Sequence, residues 1–293
     1  MAAVDASNPL NLDLGDPHEL CETEEVIFSL LTRYLPETSS ITPNEAAEQV
    51  NAFVLEVSQR PSPLEGKQEV SNFLLMFWEL MFRLAQQLDY RHEPMQRFIA
   101  LIKALRNLPE TAFIEQPGPG APYDGQPAWR SKCYYTMMLT ERWHPENPEY
   151  KSPEDLWDFR WRNMNGLLAH FTHHNLDTYG YEKNGISVII RALEEYRRKK
   201  PVSPINRRVP AAAIWFVLCS SIIYSACQRQ GFPNIGPGKF WKGEPQQGLS
   251  IARWNFWKKR FGELEGHPDA TELTKEACRA AIEEMDKYPS DVE

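Results

Sequence analysis

Apolar residues along this chain recur at intervals of three and four, and each run opens and closes on helix punctuation. Thr23-Glu24-Glu25 precedes the apolar run Val26 to Leu35, and Pro36 stops it. Thr42-Pro43-Asn44-Glu45 reads as a capping box with proline at the first helical position. The spacing predicts a helix from there to about Arg60, closed by Pro61 and Pro63. Phe73 to Phe82 is apolar at nine of ten positions, with Glu79 the exception. A helix apolar on nearly every side is buried by neighbours on several sides, so this segment reads as a central core helix extending to about Tyr90. Glu93-Pro94 opens the next helix, with Phe98, Ile99, Leu101, Ile102 and Leu105 as its buried stripe.

The second half repeats the pattern. Ser152-Pro153-Glu154-Asp155 starts a helix on which Trp157, Trp161, Met164, Leu168 and Phe171 fall on one face. A further helix is expected over about Gly180 to Lys199, and Ala211 to Cys227 is apolar at 14 of 17 positions. Leu249-Ser250 opens a helix carrying Trp254, Trp257 and Phe261, and Asp269 is expected to cap a last helix running to about Lys287. Between the halves, Gln116-Pro117-Gly118-Pro119-Gly120-Ala121-Pro122 cannot continue a helix. No strand alternation or fixed repeat period is evident. The expected fold is all-α, an irregular multi-helix bundle of about eight to ten helices with no substantial sheet. Its expected organisation is a mobile acidic tail over 1–20, a single helical domain over 21–288 with a Pro/Gly-rich crossover at 109–127, and a short tail over 289–293.

Composition narrows the function classes. The 293 residues carry a formal net charge of −8, from 32 basic and 40 acidic side chains. That balance argues against a general nucleic-acid coat, which needs a basic surface to displace counterions. Nine tryptophans and 12% aromatic residues argue for a packed chain over a disordered one. Cys21, Cys133, Cys219, Cys227 and Cys278 are odd in number and form no CxxC pair. They read as reduced thiols, not a disulfide framework or a zinc site. Met1 to Leu20 has four acidic residues and no Lys or Arg, unlike a signal or transit peptide. The expected compartment is the cytoplasm, with the nucleus as the alternative; secretion is not expected.

Candidate chemistry is sparse. His170, His173, His174 and Asp177 cluster near one helix end, with 170, 174 and 177 on a shared face. Two imidazoles and a carboxylate so placed suit a transition metal with open positions. Their mean direction lies roughly 130° from the centre of the Trp157–Phe171 stripe, so they are expected to point toward solvent or a neighbour's rim. A polar helix end is the preferred reading, because no HExxH motif or second ligand helix accompanies them. Ala211 to Cys227 is short for a membrane span and contains three serines, so it reads as a core helix and no span is expected. Arg197-Arg198-Lys199-Lys200 and Arg207-Arg208 suit a nuclear-localisation signal or an anion patch. Cations before the helix-stopping Pro201 are equally explained by the helix dipole. Trp257-Lys258-Lys259-Arg260 reads as a solvated helix face. Gly236-Pro237-Gly238-Lys239-Phe240 lacks the P-loop spacing, and its proline removes an amide a phosphate would need. No GxSxG elbow is present. No cofactor is predicted, and no catalytic residue is assigned.

Four segments carry a resemblance. They are Ala128-Trp129 with Leu139-Thr140-Glu141-Arg142-Trp143, Trp161-Arg162-Asn163-Met164-Asn165-Gly166-Leu167-Leu168-Ala169, Ala211 to Tyr224, and above all Gly248 to Phe261 with its Trp and basic residues. Together they resemble a family of fungal proteins with a large helical domain of unknown function, clearest over 128–288. The resemblance implies a fold but no activity, cofactor or catalytic residue. Some family members are encoded beside secondary-metabolite genes, which implies an accessory protein or enzyme of such biosynthesis as one alternative. The leading expectation is a non-catalytic accessory protein that binds an unknown protein or a small apolar ligand. The others are an enzyme with a helical pocket for a small apolar metabolite, and a nuclear regulator using the basic region 197–208.

Overall fold

The computed structural model describes residues 8–14, 21–59, 69–114, 123–131, 133–143, 154–176, 182–195 and 205–289. Among them are ten helices and no strand, only one isolated bridge between Phe113 and Pro127. The protein is all-α. The chain separates into two compact units, Met1–Pro153 and Glu154–Glu293. The division therefore falls after the expected crossover, not within it.

The first unit holds α1 (Glu22–Tyr34), α2 (Pro43–Ser58), α3 (Glu69–Ala85), α4 (Glu93–Asn107) and α5 (Cys133–Arg142). The capping box of α2 forms as the sequence predicts: Glu45 N–H donates to Thr42 Oγ1, and Thr42 N–H donates to Glu45 Oε2. Helix α3 packs against α1, α2 and α5, which is why it is apolar nearly all round. It ends at Ala85, short of Tyr90. A chain of edge-on and stacked rings, Phe53, Phe73, Phe77, Trp78, Phe82, Trp129 and Tyr135, fills the space around it. Tyr34 and Arg97 tie α1 to α4. The Tyr34 hydroxyl donates to the Arg97 carbonyl at 2.7 Å, and Arg97 Nε returns a bond to the Tyr34 carbonyl at 2.8 Å. Burial pushes the Tyr34 hydroxyl up to about 12.

Of the expected tail over 1–20, residues 8–14 are described: Leu12 and Leu14 are buried, and Asp13 and Gln87 exchange backbone-to-amide bonds. Arg83 of α3 also donates to the Leu14 carbonyl. Of the segment 109–127, residues 109–114 and 123–127 are described. Its described ends pair, with Ile114 N–H donating to the Gln126 carbonyl and Ala128 N–H to the Ala112 carbonyl. The proline-rich stretch 116–122 lies outside the described residues. Helix α5 had no explicit forecast, because Tyr134, Tyr135 and Thr136 favour strands intrinsically and only packing against α3 settles them as helix.

The second unit holds α6 (Glu154–His173), α7 (Glu182–Leu193), α8 (Ile205–Gln228), α9 (Ile251–Glu265) and α10 (Glu272–Met285). Helix α8 is its axis and packs against the other four. By length and composition α8 is apolar enough to cross a membrane; its burial among four helices accounts for that composition. It is broken at Cys219, whose φ of −129° and ψ of 20° are not helical, and whose thiol donates to the Ala169 carbonyl of α6. On the same pair of helices, Trp215 Nε1 donates to Asn165 Oδ1 at 2.9 Å. Ser250 caps α9 as expected. The cap of α10 is Thr271, not Asp269. Asn206 decides this: its amide holds the Asp269 carbonyl while its Oδ1 accepts from Thr271 and Thr274.

Candidate functional site

In the second unit, the described residues bring two chemically notable groups together. The first is the histidine row at the end of α6. His170 is 5% exposed, so of the two expected directions, solvent or a neighbour's rim, it does not face solvent. The expectation assumed a helix with one buried face, whereas every residue from Asn163 to Thr172 is buried. The His170 and His174 rings lie parallel with centroids 6.1 Å apart, and His173 stands edge-on to His174 at 4.8 Å. Asp177, the third candidate ligand, lies outside the described residues. Among the described residues no group of three or more His, Cys, Asp or Glu is placed to hold a metal ion.

The second group is an ion pair with no solvent exposure on either side chain. Glu194 follows α7 directly and Arg253 sits one turn into α9. Arg253 Nε donates to Glu194 Oε1 at 2.8 Å and its Nη2 to Oε2 at 2.9 Å, a two-pronged match between planar groups. Trp257 Nε1 donates to Oε1 at 2.7 Å, and the Gly238 N–H donates to Oε2 at 2.7 Å. A carboxylate offers about four acceptor positions, and all four are taken. Four of the guanidinium's five N–H donors are used as well. Its Nη1 donates to the Gly248 carbonyl at 2.6 Å, its Nη2 also to the Gly236 carbonyl at 3.1 Å, and it lies near the Trp241 and Trp257 rings.

Most of these partners belong to the connection between α8 and α9, residues 229–250. This strap leaves α8 through Gln230 and Phe232, both with positive φ, and is cinched where Leu249 N–H donates to the Gly231 carbonyl. Its middle is sewn to Glu194 twice, by the Gly238 N–H on the carboxylate and the Phe240 N–H on the Glu194 carbonyl. Glycine is required at 238, because a Cβ there would lie 2.4 Å from Glu194 Cβ. Trp241 folds inward against Phe256, while Phe240 stays 41% exposed.

Sequence reasoning missed Glu194 and Arg253 as a pair, though a signal existed. Glu194 continues the apolar i, i+4 series Ile186 and Ile190, and Arg253 heads the series Trp257 and Phe261. A charge on a buried stripe requires a buried partner. Their separation of 59 positions hides which partner it is. Burial pushes the Cys227 and Cys278 thiols up to about 12, away from the thiolate a nucleophile needs. Thr172 Oγ1 and Trp254 Nε1 are buried without a hydrogen-bond partner among the described residues. Of the basic region, 197–200 lies outside the described residues, and Arg207 pairs with Asp158.

A family model described as a protein of unknown function, DUF3632, matches residues 78–261, well over half of the chain. The chain belongs to the DUF3632 family. The DUF3632 match starts inside α3 and stops inside α9. It takes in Glu194, the strap, Arg253 and Trp257, and leaves out α1, α2 and α10. It thus begins earlier than the likeness seen in the sequence and ends before α10. No curated protein and no solved structure matches.

Proposed function

We propose that this DUF3632 protein acts by binding a partner, as a non-catalytic accessory protein. The observation that supports this most is the saturation of Glu194. A fully buried carboxylate beside an arginine is where acid–base or anion chemistry is first sought. Here four internal donors occupy it, so it has no acceptor position left for a substrate proton. Its bonds go instead to holding a surface loop in one shape. The test is chemical cross-linking of the tagged full chain in extracts of its own cells, with reciprocal capture of whatever is recovered. A stoichiometric protein partner, or a co-purifying apolar small molecule seen by native mass spectrometry, is the expected result. Recovery of neither would overturn the reading.

A further inference from the structure

We propose that the strap between α8 and α9 is a preorganised docking surface whose occupant is an acidic segment of another protein, anchored on Phe240 between Lys239 and Lys242. The inference rests on the partner-binding reading and names the surface and the chemistry of the partner.

The first observation is how firmly the loop is held. An unstructured connection of this length in a compact fold is uncommon and usually functional. Burying an ion pair is a poor way to gain stability, because desolvation offsets most of the attraction. Yet the Glu194–Arg253 pair has no exposure, and its remaining bonds go to Gly236, Gly238 and Gly248 of the strap and to Trp257 of α9. Phe232, a bulky residue in the left-handed region, adds local strain that the surrounding bonds must hold. All of this fixes one loop conformation.

The second observation is what that conformation displays. Trp241 is buried and accounts for the strap's own packing. Phe240, next to it, is held by its backbone to Glu194 and still leaves its ring 41% exposed, with the Arg260 guanidinium 5.6 Å from the ring centroid. Lys239 and Lys242 flank it and are exposed. A rigid exposed aromatic between two exposed lysines, with the Arg260 charge itself paired to Glu263, is the composition of a binding anchor. On a chain of net charge −8, a local cationic face selects an acidic partner by complementarity and steers its approach. A membrane surface fits less well: one aromatic is exposed, and Glu244, Gln246 and Gln247 are exposed in the same loop, giving little apolar area to insert.

The experiment selects binders for the full chain from a displayed library of random twelve-residue peptides, then measures affinity by fluorescence anisotropy. The expected peptides are rich in Asp and Glu around an apolar residue. Their affinity falls about tenfold or more in the Lys239→Glu/Lys242→Glu variant, as loss and reversal of two attractive charges implies, and falls with added salt. Phe240→Ala weakens them similarly. Unchanged circular dichroism and melting of both variants separate lost binding from lost folding, since all three side chains are exposed. Peptides without acidic bias, peptides indifferent to these substitutions, or no enriched peptides would overturn the strap as the site. The cross-linking result for the unaltered protein stands or falls separately. Binding to vesicles of anionic phospholipid that both variants lose, with no peptide selected, would overturn it in favour of a membrane surface.

Discussion

Gly185 shows how narrowly single side chains are fitted in the second unit. A Cβ at this position would sit 2.4 Å from Cε3 of Trp215, a ring that is itself fully buried and tied to Asn165. In an ordinary helix interior, glycine to alanine gains up to about 1 kcal/mol. Here the close approach reverses the sign, because the indole cannot retreat without breaking its bond to Asn165. Gly185→Ala is expected to lose about 1–3 kcal/mol, the usual range for overpacking, read from the urea midpoint of unfolding. A neutral or stabilised variant would mean that α7 and α8 are looser than the structure describes. The same reasoning applies to Gly238, where the obstacle is Glu194 itself.

At the level of elements, most helices were readable because their signals are local. The Thr42–Glu45 box, Ser250 and the apolar run of α3 each act within one or two turns, and the structure places helices there. What was not readable depends on partners distant in sequence. The α10 cap moves to Thr271 because Asn206, over sixty residues earlier, organises that corner. Asn206→Ala is expected to cost about 1–2 kcal/mol, since it leaves the buried Thr274 hydroxyl and the Thr271 amide without their acceptor. Amide hydrogen exchange should quicken first at the start of α10; uniform exchange along the helix would argue against this role. The burial of His170 was open for a related reason: periodicity finds the most apolar face of α6 but does not reveal that the other faces are also covered. The Glu194–Arg253 pair was half legible. Each charge stood out on its own apolar stripe, but nothing local joined the two.

For the whole molecule, pH dependence follows from burial. Tyr34, Cys227 and Cys278 are each held in the neutral form, their values raised from 10.0 or 9.0 to about 12. A raised value in the folded state means that stability from these groups is complete below the unfolded value and is lost as pH climbs through the folded one. The urea midpoint should therefore hold steady with respect to these groups below pH 9 and fall between about pH 9 and 12. Cys227→Ala should fall less steeply over that window than the unaltered protein. Identical slopes would show that the thiol is not held neutral by the fold.

The central claim is that the buried carboxylate of this DUF3632 protein serves the fold by holding the strap in a single binding-ready shape. Hydrogen exchange measured by mass spectrometry on Glu194→Gln tests it most directly. The substitution keeps the volume but replaces an acceptor oxygen with a donor and leaves the Arg253 charge unpaired, a loss of about 3–5 kcal/mol for a buried pair. The account predicts that protection is lost across residues 231–250 and the first turn of α9, while α6 and α10 keep theirs. Exchange in the strap unchanged from that of the unaltered protein would contradict it.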